Sequence, residues 1–566
     1  MWSLLEAPTD MVTGGPASSR GAVWGGTALL FAAFIVLAGM NPLAVDDMLI
    51  TFQYAKNLVE HGVLTWWPDA PLVDGYTSLG HVLLLAALHL AGLNLVAANT
   101  LLNFGALVVI SMGILRATAM FRPWVRLAAV SVTLINASFM FWIAGGLDGI
   151  LYTAALLWTY LVYESAIENS NFGAGLAALM LALAAIRPEG MFIALALIIF
   201  FFAVQLRRRR WPIGVVWPIA VLTAIAGLIA WRIWMYGHPV PNTYYAKASA
   251  SLTLEIGQGL DYFWIWLSAQ GGMILLATPI ALAMGSGKWL RALFVAGLIA
   301  ITILAGGDPH PFGRFFLPVI PFVALDCAWV LNTGRRALRR FFGVAHVAYL
   351  FFQIALVQGG WEIPRTIRDS MNDMLTGRWP HLTYQDSIYV SSTRALVHDL
   401  DKSLVADLPL AATDVGALAY FSNRWVRDAI GLNDPELAHL PKPENKSNTW
   451  GISNLGVLLA REVPLAYSYF PVYDDVAWTD VAGGARSCAF FVKRRMENIS
   501  QFATELDQSY LCASIEAQDL SGRYINLFVH KDIGMAAFTT PDRVTLSQCV
   551  PQVFAACDLP VFATSQ

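Results

Sequence analysis

The sequence predicts a mostly α-helical, polytopic membrane protein that carries a C-terminal α/β domain. Of its 566 residues, 57% are hydrophobic and only 13% are charged, and the mean hydropathy is +0.56. This composition is too apolar for an ordinary soluble protein of this length. The apolar runs stop near Val357, and the following residues have a mixed polar, aromatic and Pro/Gly composition. We therefore expect a transmembrane domain, residues 1–359, and a soluble extracytoplasmic domain, residues 360–566.

About eleven segments are apolar enough to cross the bilayer, since crossing ~30 Å of hydrocarbon takes about 20 helical residues. Arg and Lys are enriched in cytoplasmic loops, and counting spans places the four basic clusters of the chain on one face. The predicted N-terminus is then cytoplasmic and the C-terminal domain is outside. The predicted spans are 22–43, 98–116, 127–144, 149–165, 173–186, 190–206, 213–232, 264–285, 289–305, 316–333 and 342–359.

One further apolar stretch, residues 78–94, is interpreted as a helix that lies in the membrane interface. It is short and contains His81 and His89, and Arg20 before the first span favours a cytoplasmic N-terminus. The stretch then belongs to an external loop, residues 45–97. The alternative, an ordinary span with the N-terminus outside, stays open.

Polar residues concentrate at the junctions that this topology places outside. Charged groups at membrane depth are retained where they face a cavity or a partner. Each junction alone is also compatible with a solvated loop or a helix cap, but together they predict a site on the external face. The junctions are Asp46 and Asp47, "GGLDG" at 145–149, "RPEG" at 187–190, "GHPVPNTYYAKA" at 237–248 and "GGDPHPFGRF" at 306–315.

The adjacent carboxylates Asp46 and Asp47 are the candidate catalytic residues. They precede a helical pattern in which Ile50, Tyr54 and Leu58 are spaced four apart, and Gly62 is a stop signal. A carboxylate here can act as a general base or bind a divalent cation. Mg²⁺ or Mn²⁺ is compatible with the sequence but not required by it. The alternative for one of the two residues is an N-cap.

Cations on the same face suit a phosphate group. They are Arg187, Lys247, His310 and Arg314, because guanidinium binds phosphate bidentately and Lys supplies a point charge. Glu189 beside Arg187, and Asp308 near Arg314, leave plain ion pairs as the alternative. Aromatic residues near these junctions suit stacking on sugars, although interfacial belt residues need no function. They include Trp66, Tyr76, Tyr244 and Tyr245.

Two other classes of function are less compatible with the sequence. A net charge of −3 without a long basic tract argues against a nucleic-acid partner. A polytopic transporter would carry its ionisable groups near the middle of broken helices, often in two repeated halves. Because these groups cluster at one face, a transporter is the alternative from another class and an enzyme is favoured.

The motifs, taken as an ordered series, resemble the GT-C superfamily of polyprenyl-phosphate-sugar-dependent glycosyltransferases. They are most similar to the mycobacterial terminal arabinofuranosyltransferases, over about residues 40 to 440. The chain departs from the family at Asp148, where "GLE" is usual, and at Leu79, where "GYTS" is usually followed by Pro. The motifs are "DDMLITFQYAKNLVEHGVLTWWPDAPLVDGYTS", "GGLDGILYTA", "RPEGMF", "HPVPNTYYAKA", "GGDPHPFGRFFLPVIP" and "DVGALAYFSNRWVRDAIGLNDPELA".

The resemblance implies a GT-C fold and a transfer reaction at the outer face of a bacterial inner membrane. The donor would be decaprenyl-phospho-arabinofuranose, and the acceptor a cell-envelope polysaccharide. Asp46 and Asp47 carry over as the catalytic pair, and we assign Asp46 as the base and Asp47 the more structural role. A GT-C enzyme that transfers mannose or another hexose to protein or lipid is the alternative. The donor-binding loops "PNTYYAK" and "HPFGR" carry over with Asn242, Tyr244, Tyr245, Lys247, His310 and Arg314, and Arg187 is added to them.

The C-terminal domain is predicted to be α/β and to cap the active site, bind the acceptor or stabilise the protein. "SLVADLPLAATDVGALAYFSNRWVRDAIGL" alternates apolar runs with turn signals, and "CAFFVKRR", "GRYINLFVHK" and "FTTPDRVTL" resemble strands. An extracytoplasmic location permits disulfides. The domain has four cysteines, whose pairing stays open: Cys488, Cys512, Cys549 and Cys557.

Overall fold

The protein is mostly helical, with a small sheet near its C-terminus. The computed structural model describes residues 18–39, 45–248, 251–270, 277–284, 289–308, 310–359, 385–406, 408–422, 424–441, 457–458, 461, 463–466, 509–517 and 524–548. The chain forms two compact units. The first contains the described residues of Met1–Leu43, Ser78–Trp231 and Ser251–Thr383, and the second those of Ala44–Thr77, Arg232–Ala250 and Tyr384–Gln566.

Helices dominate the first unit, because its sequence consists of apolar runs with few strand or turn signals. They are α1 (Ser18–Gly39), α3 (Leu79–Leu90), α4 (Leu95–Ala117), α5 (Pro123–Leu134), α6 (Ala137–Gly145), α7 (Gly149–Asn169), α8 (Ala174–Ile186), α9 (Pro188–Arg207), most of α10 (Val216–Tyr236), α12 (Leu252–Ala269), α13 (Ala277–Ala283), α14 (Trp289–Leu304), α15 (Val319–Thr333) and α16 (Arg336–Gly359).

Several of these helices can cross a membrane, so the chain is a multi-pass membrane protein. Among the described residues four are long and apolar enough, namely α4, α7, α9 and α10, and α5 with α6 makes a fifth if this bent pair is one span. Shorter apolar helices include α8, α14 and α15. Eleven spans are therefore not confirmed. Within residues 78–94, Leu79–Leu90 form the helix α3, and its position along the membrane interface stays a prediction.

Two predicted spans are not continuous helices. The segment predicted at 264–285 contains the end of α12 and all of α13, and residues 271–276 between them lie outside the described residues. The segment at 127–144 bends by 55° between α5 and α6. The break comes at Ile135 and Asn136, where Asn136 caps α6 by accepting from the Ser138 amide at 2.9 Å. An Asn at this position favours a new helix start over continuation.

Polar side chains stabilise this break from within the first unit. The Asn136 amide donates to Gln270 Oε1 and to the Tyr349 hydroxyl, both at 2.6 Å. Gln353 accepts from the Ala137 amide at 2.9 Å. Backbone groups freed by a break in an apolar environment need such partners. Specific hydrogen bonds thus stabilise the bend between α5 and α6.

The second unit combines the C-terminal part of the chain with two segments, residues 44–77 and 232–250, that were predicted to belong to the transmembrane domain. Its helices are α2 (Asp46–His61), α11 (Asn242–Lys247), α17 (Gln385–Ser403) and α18 (Gly416–Phe421). α18 packs against α2, with the rings of Phe52 and Tyr420 edge to face at 5.9 Å. The domain boundary at 359/360 stays a prediction.

A six-stranded mixed sheet lies in the second unit, in the order β2-β1-β3-β5-β4-β6. β1 pairs in parallel with β2 and β3, and the other pairs are antiparallel. The strand–turn–helix pattern predicted after residue 403 agrees with β1 followed by α18, and β2 then pairs with β1. The strands are β1 (Leu410–Ala412), β2 (Val426–Asp428), β3 (Leu465–Ala466), β4 (Tyr510–Glu516), β5 (Tyr524–His530) and β6 (Val544–Gln548).

The described cysteines differ in their bonding. Cys512 is disulfide-bonded, whereas Cys327 in α15 is a buried free thiol. Cys488, Cys549 and Cys557 lie outside the described residues, as does the strand predicted for "CAFFVKRR".

Candidate functional site

The two adjacent carboxylates stand at the first two positions of α2. The helix begins at Asp46 and stops at Gly62, which adopts φ +71°, as the sequence predicts, since glycine tolerates left-handed backbone. The N-cap position is occupied by Val45, with no side-chain capping bond. Neither aspartate is the N-cap, so the capping alternative is wrong and the two carboxylates have other roles.

Asp46 is a structural anchor. Its side chain is buried, and its two oxygens accept hydrogen bonds from the Gly416 and Ala417 amides at 2.8 and 2.7 Å. These amides belong to the first turn of α18, where backbone N–H groups lack helical partners and favour an anion. Both carboxylate oxygens of Asp46 therefore accept hydrogen bonds from the backbone of α18.

Gly416 is the residue that permits this close approach. A Cβ at that position would collide with the backbone carbonyl of Asp46 and with its Oδ2. A larger residue therefore cannot occupy the position without moving α2 away from α18.

Asp47 is the more accessible carboxylate. Its side chain is 26% exposed, and its Oδ2 lies 3.8 Å from Lys247 Nζ, whose side chain is 35% exposed. The geometry favours the opposite assignment to the one from sequence: Asp46 is held by backbone amides, and Asp47 faces an exposed cation.

Asn242 positions the helix that carries Lys247. Its side-chain amide is buried and donates to the carbonyls of Gly431 at 2.8 Å and Leu432 at 3.0 Å. Its backbone N–H donates to the Asp74 carbonyl at 2.9 Å. The side-chain amide protons of Asn242 have backbone acceptors, and its contact to the donor stays a prediction.

Tyr54 forms hydrogen bonds both to the loop after α2 and to Asn433 in the C-terminal part of the chain. Its hydroxyl accepts from the Gly75 amide at 3.0 Å and shares its proton between the Val73 carbonyl and Asn433 Oδ1. Asn433 in turn donates to Asp428 at 3.0 Å. Burial raises the pKa of Asp428 to about 6, against the hydrogen bonds that it accepts.

The predicted sugar-stacking residues Trp66 and Tyr76 are buried, each with 1% exposure. Trp66 donates from Nε1 to the Val426 carbonyl at 2.8 Å, and the Tyr76 hydroxyl lies 3.2 Å from that of Tyr236. Neither ring presents a face to a ligand. Both side chains are buried within the second unit, and their stacking on a sugar stays a prediction.

Tyr244 and Tyr245 remain on the surface next to Lys247. Tyr244 is 63% exposed, and the Tyr245 ring lies 4.4 Å from the imidazole of His439 and 5.1 Å from that of His238. The two imidazoles stack at 4.1 Å. This aromatic group can contact a sugar, and His439 is a member that sequence reasoning missed.

Sequence reasoning also missed a buried ion pair, Arg232 with Asp74. Arg232 Nε lies 3.0 Å from Asp74 Oδ2, and both side chains are 2% exposed. Burial raises the pKa of Asp74, while Arg232 opposes this shift. The sequence does contain a signal for this pair: Arg232 lies near the end of an apolar helix, and a charge in such a helix needs a partner.

Arg187 and Arg314 form a separate cluster in the first unit. Both guanidinium groups lie over the Phe315 ring, at 4.6 and 5.0 Å from its centroid. Arg187 pairs with Glu189 at 2.7 Å and with Asp148 at 3.6 Å. The ion-pair alternative therefore describes Arg187 and Glu189 in this structure.

Arg314 is paired as well, since it donates to Asp308 at 2.9 Å, and its guanidinium lies 5.6 Å from the Trp142 ring. His310 contacts the same indole at 5.8 Å. Within the part of the chain that the structure describes, Trp142 Nε1 and the Tyr152 hydroxyl are buried donors without a hydrogen-bond partner. The donor-binding roles of Arg187, His310 and Arg314 stay predictions, and any anion would compete there with carboxylates.

A metal centre was left open by the sequence. Within the described residues, no group of three or more His, Cys, Asp and Glu side chains is arranged to hold a metal ion. Asp46 and Asp47 are two carboxylates, and the first already accepts two amide hydrogen bonds.

Comparison with known proteins identifies two similarities. Residues 384–521 match a family model described as a domain of unknown function, DUF8728. The chain is also similar to "GPI alpha-1,2-mannosyltransferase 3" of Xenopus laevis, with 24% identity over 204 residues. That similarity covers 35% of this chain and 38% of the relative, so the chain spans well under half of that protein.

Proposed function

We propose that the protein is a membrane glycosyltransferase of the GT-C type that transfers a sugar from a polyprenyl-phosphate donor to an acceptor hydroxyl. The observation that carries the proposal is the pair formed by Asp47 and Lys247, 3.8 Å apart and both partly exposed. This pair places a candidate base and a cation next to each other in space. The similarity to a mannosyltransferase supports the reaction class.

Asp47 is the general base of the proposed reaction. It takes the proton of the acceptor hydroxyl, whose oxygen then attacks the anomeric carbon of the donor sugar. The bond from that carbon to the phosphate oxygen breaks, and polyprenyl phosphate leaves with the bonding electrons. Lys247 stabilises the negative charge on the departing phosphate, and a cation placed there acts more strongly in the transition state than in the ground state.

The donor sugar has two candidates. The ordered motifs favour arabinofuranose and a cell-envelope acceptor at the outer face of a bacterial inner membrane. The similarity to a mannosyltransferase favours mannose at least as well. Tyr244 and Tyr245, beside Lys247, are the proposed contacts to the sugar, since exposed aromatic rings stack on pyranose and furanose faces.

Release of lipid phosphate tests the proposal. The purified full-length protein in lipid nanodiscs is incubated with polyprenyl-phospho-mannose or polyprenyl-phospho-arabinofuranose and an acceptor glycan. We expect release from one donor and a loss of at least ~10²-fold in kcat for Asp47→Asn. Asp69→Asn, which alters an exposed carboxylate of the same loop, is the matched control and should retain activity. No release from either donor, or full activity of Asp47→Asn, contradicts the proposal.

A further inference from the structure

The residues that match the domain of unknown function hold the neighbour of Asp47 in the chain. Residues 384–521 contain the two amides that hold Asp46, the residue next to Asp47. They also contain acceptors for three further side chains of the second unit. These pairs are Trp66 with the Val426 carbonyl, Tyr54 with Asn433, and Asn242 with the carbonyls of Gly431, Leu432 and Asp434.

We propose that residues 416–434 of this domain are the positioning element of the transferase site, with Gly416 and Ala417 as its positioning residues. The inference rests on the proposed function, because it concerns the geometry of the same base. It assigns the domain a role in catalysis that is distinct from binding the acceptor.

The first turn of α2 transmits the effect from Asp46 to Asp47. Successive helical residues point about 100° apart, so holding the Asp46 carboxylate at two points sets the direction of the Asp47 side chain. The anchor is rigid, because both donors are backbone amides and Asp46 is buried. Gly416 sets the distance, since a Cβ there would meet the Asp46 backbone.

The same domain also positions the cation. Asn242, the first residue of α11, donates to the carbonyls of Gly431 and Leu432, and Lys247 is the last residue of that helix. The turn that offers these carbonyls is ordered by Asp428, which accepts from the Ile430 amide at 2.9 Å. Base and cation are therefore each held by residues between 416 and 434.

Two substitutions test the positioning role. Gly416→Ala forces α18 away from α2, and Ala417→Pro removes one of the two donors, an N–H that has no partner within α18 because it lies in the first turn. We expect each to lower kcat by about 10- to 100-fold, as for a misplaced catalytic group, with the donor KM unchanged within about twofold. Gly175→Ala is the control, because a Cβ at that exposed helical glycine meets nothing within 4 Å.

A double variant distinguishes positioning from general damage. Asp46→Asn combined with Ala417→Pro should have nearly the kcat of Ala417→Pro alone, because both changes break the same contact. Rates are normalised to the amount of protein that elutes as a single folded species. If Gly416→Ala folds poorly, Ala417→Pro is the variant that tests the positioning role. Additive losses, or a raised donor KM with unchanged kcat, contradict the inference.

Failure of the inference and failure of the proposed function give different results. If Asp47→Asn is inactive while Gly416→Ala and Ala417→Pro have wild-type kcat, only the positioning role is wrong. If Asp47→Asn retains wild-type kcat, the assignment of Asp47 as the catalytic base is wrong, and the inference is then wrong as well.

Discussion

Asp46→Asn is the substitution whose effect follows most directly from the structure. The carboxylate accepts from Gly416 at 2.8 Å and from Ala417 at 2.7 Å, and it is buried. Asparagine offers one acceptor oxygen, and its NH₂ group faces the other amide N–H. The variant keeps one neutral hydrogen bond and leaves one buried amide without an acceptor.

The expected cost is about 2 to 4 kcal/mol. A hydrogen bond to a charged group contributes about 1.5–3 kcal/mol, and an unsatisfied buried donor costs about 1–3 kcal/mol. The two contributions overlap, because they describe the same lost contact. At ~1.4 kcal/mol per factor of ten, the contact between α2 and α18 should open at least about 30-fold more often.

Hydrogen exchange of the amides at Gly416 and Ala417 is the local assay, because it reports opening of this contact without requiring global unfolding. We expect exchange in a peptide covering residues 408–422 to accelerate in Asp46→Asn. Asp47→Asn is the matched control: its partly exposed pair with Lys247 is worth about 0–1 kcal/mol, so exchange should change less than about fivefold. Equal exchange in wild type and Asp46→Asn would refute the anchor.

Three further predictions concern other groups. Lys247→Gln should lower kcat/KM for the donor by about 10- to 100-fold, the scale of a lost charge-assisted contact, with a loss in kcat because Lys247 stabilises the departing phosphate in the transition state. Lys247→Arg should restore part of it. Steady-state kinetics check this, and an unchanged kcat/KM removes Lys247 from the donor site. Arg314→Ala should lower the unfolding temperature, because it leaves the buried Asp308 unpaired at a cost of about 3–5 kcal/mol, and Arg314→Ala with Asp308→Ala should recover part of the loss; equal melting of wild type and Arg314→Ala would count against it. The pKa of Asp428 is raised by burial to about 6, above ~3.9 in the unfolded chain, so its stabilising contribution is full below pH ~4 and is lost as the pH rises through 6. Asp428→Asn should abolish that pH dependence in thermal melts, and parallel wild-type and variant curves from pH 4 to 7 would argue against it.

Helices near the site could be predicted because their signals are local. The start of α2 at Asp46 and its stop at Gly62 depend on spacing and on one left-handed glycine. The strand β1 and the helix α18 likewise follow from short apolar runs separated by turn residues. Membrane character follows from composition alone.

Predictions about side-chain exposure were less successful, and the reason is physical. Trp66 and Tyr76 look like interfacial or stacking aromatics in sequence, yet each is 1% exposed. Their burial depends on partners such as Val426 and Tyr236, which lie 360 and 160 residues away. Aromatic residues suit both a core and a sugar site, so residue type cannot separate the two.

The sequence by itself determined the membrane class, the bounds of α2 and the presence of two carboxylates at its start, because hydropathy, helical spacing and glycine stops act between near neighbours. Only the tertiary structure decided which carboxylate is the anchor and which is accessible. Asp46 and Asp47 are chemically identical, and the difference comes from two amides 370 and 371 residues further along the chain, brought to Asp46 by the packing of α18 against α2. A contact over that separation leaves no periodic trace in the sequence.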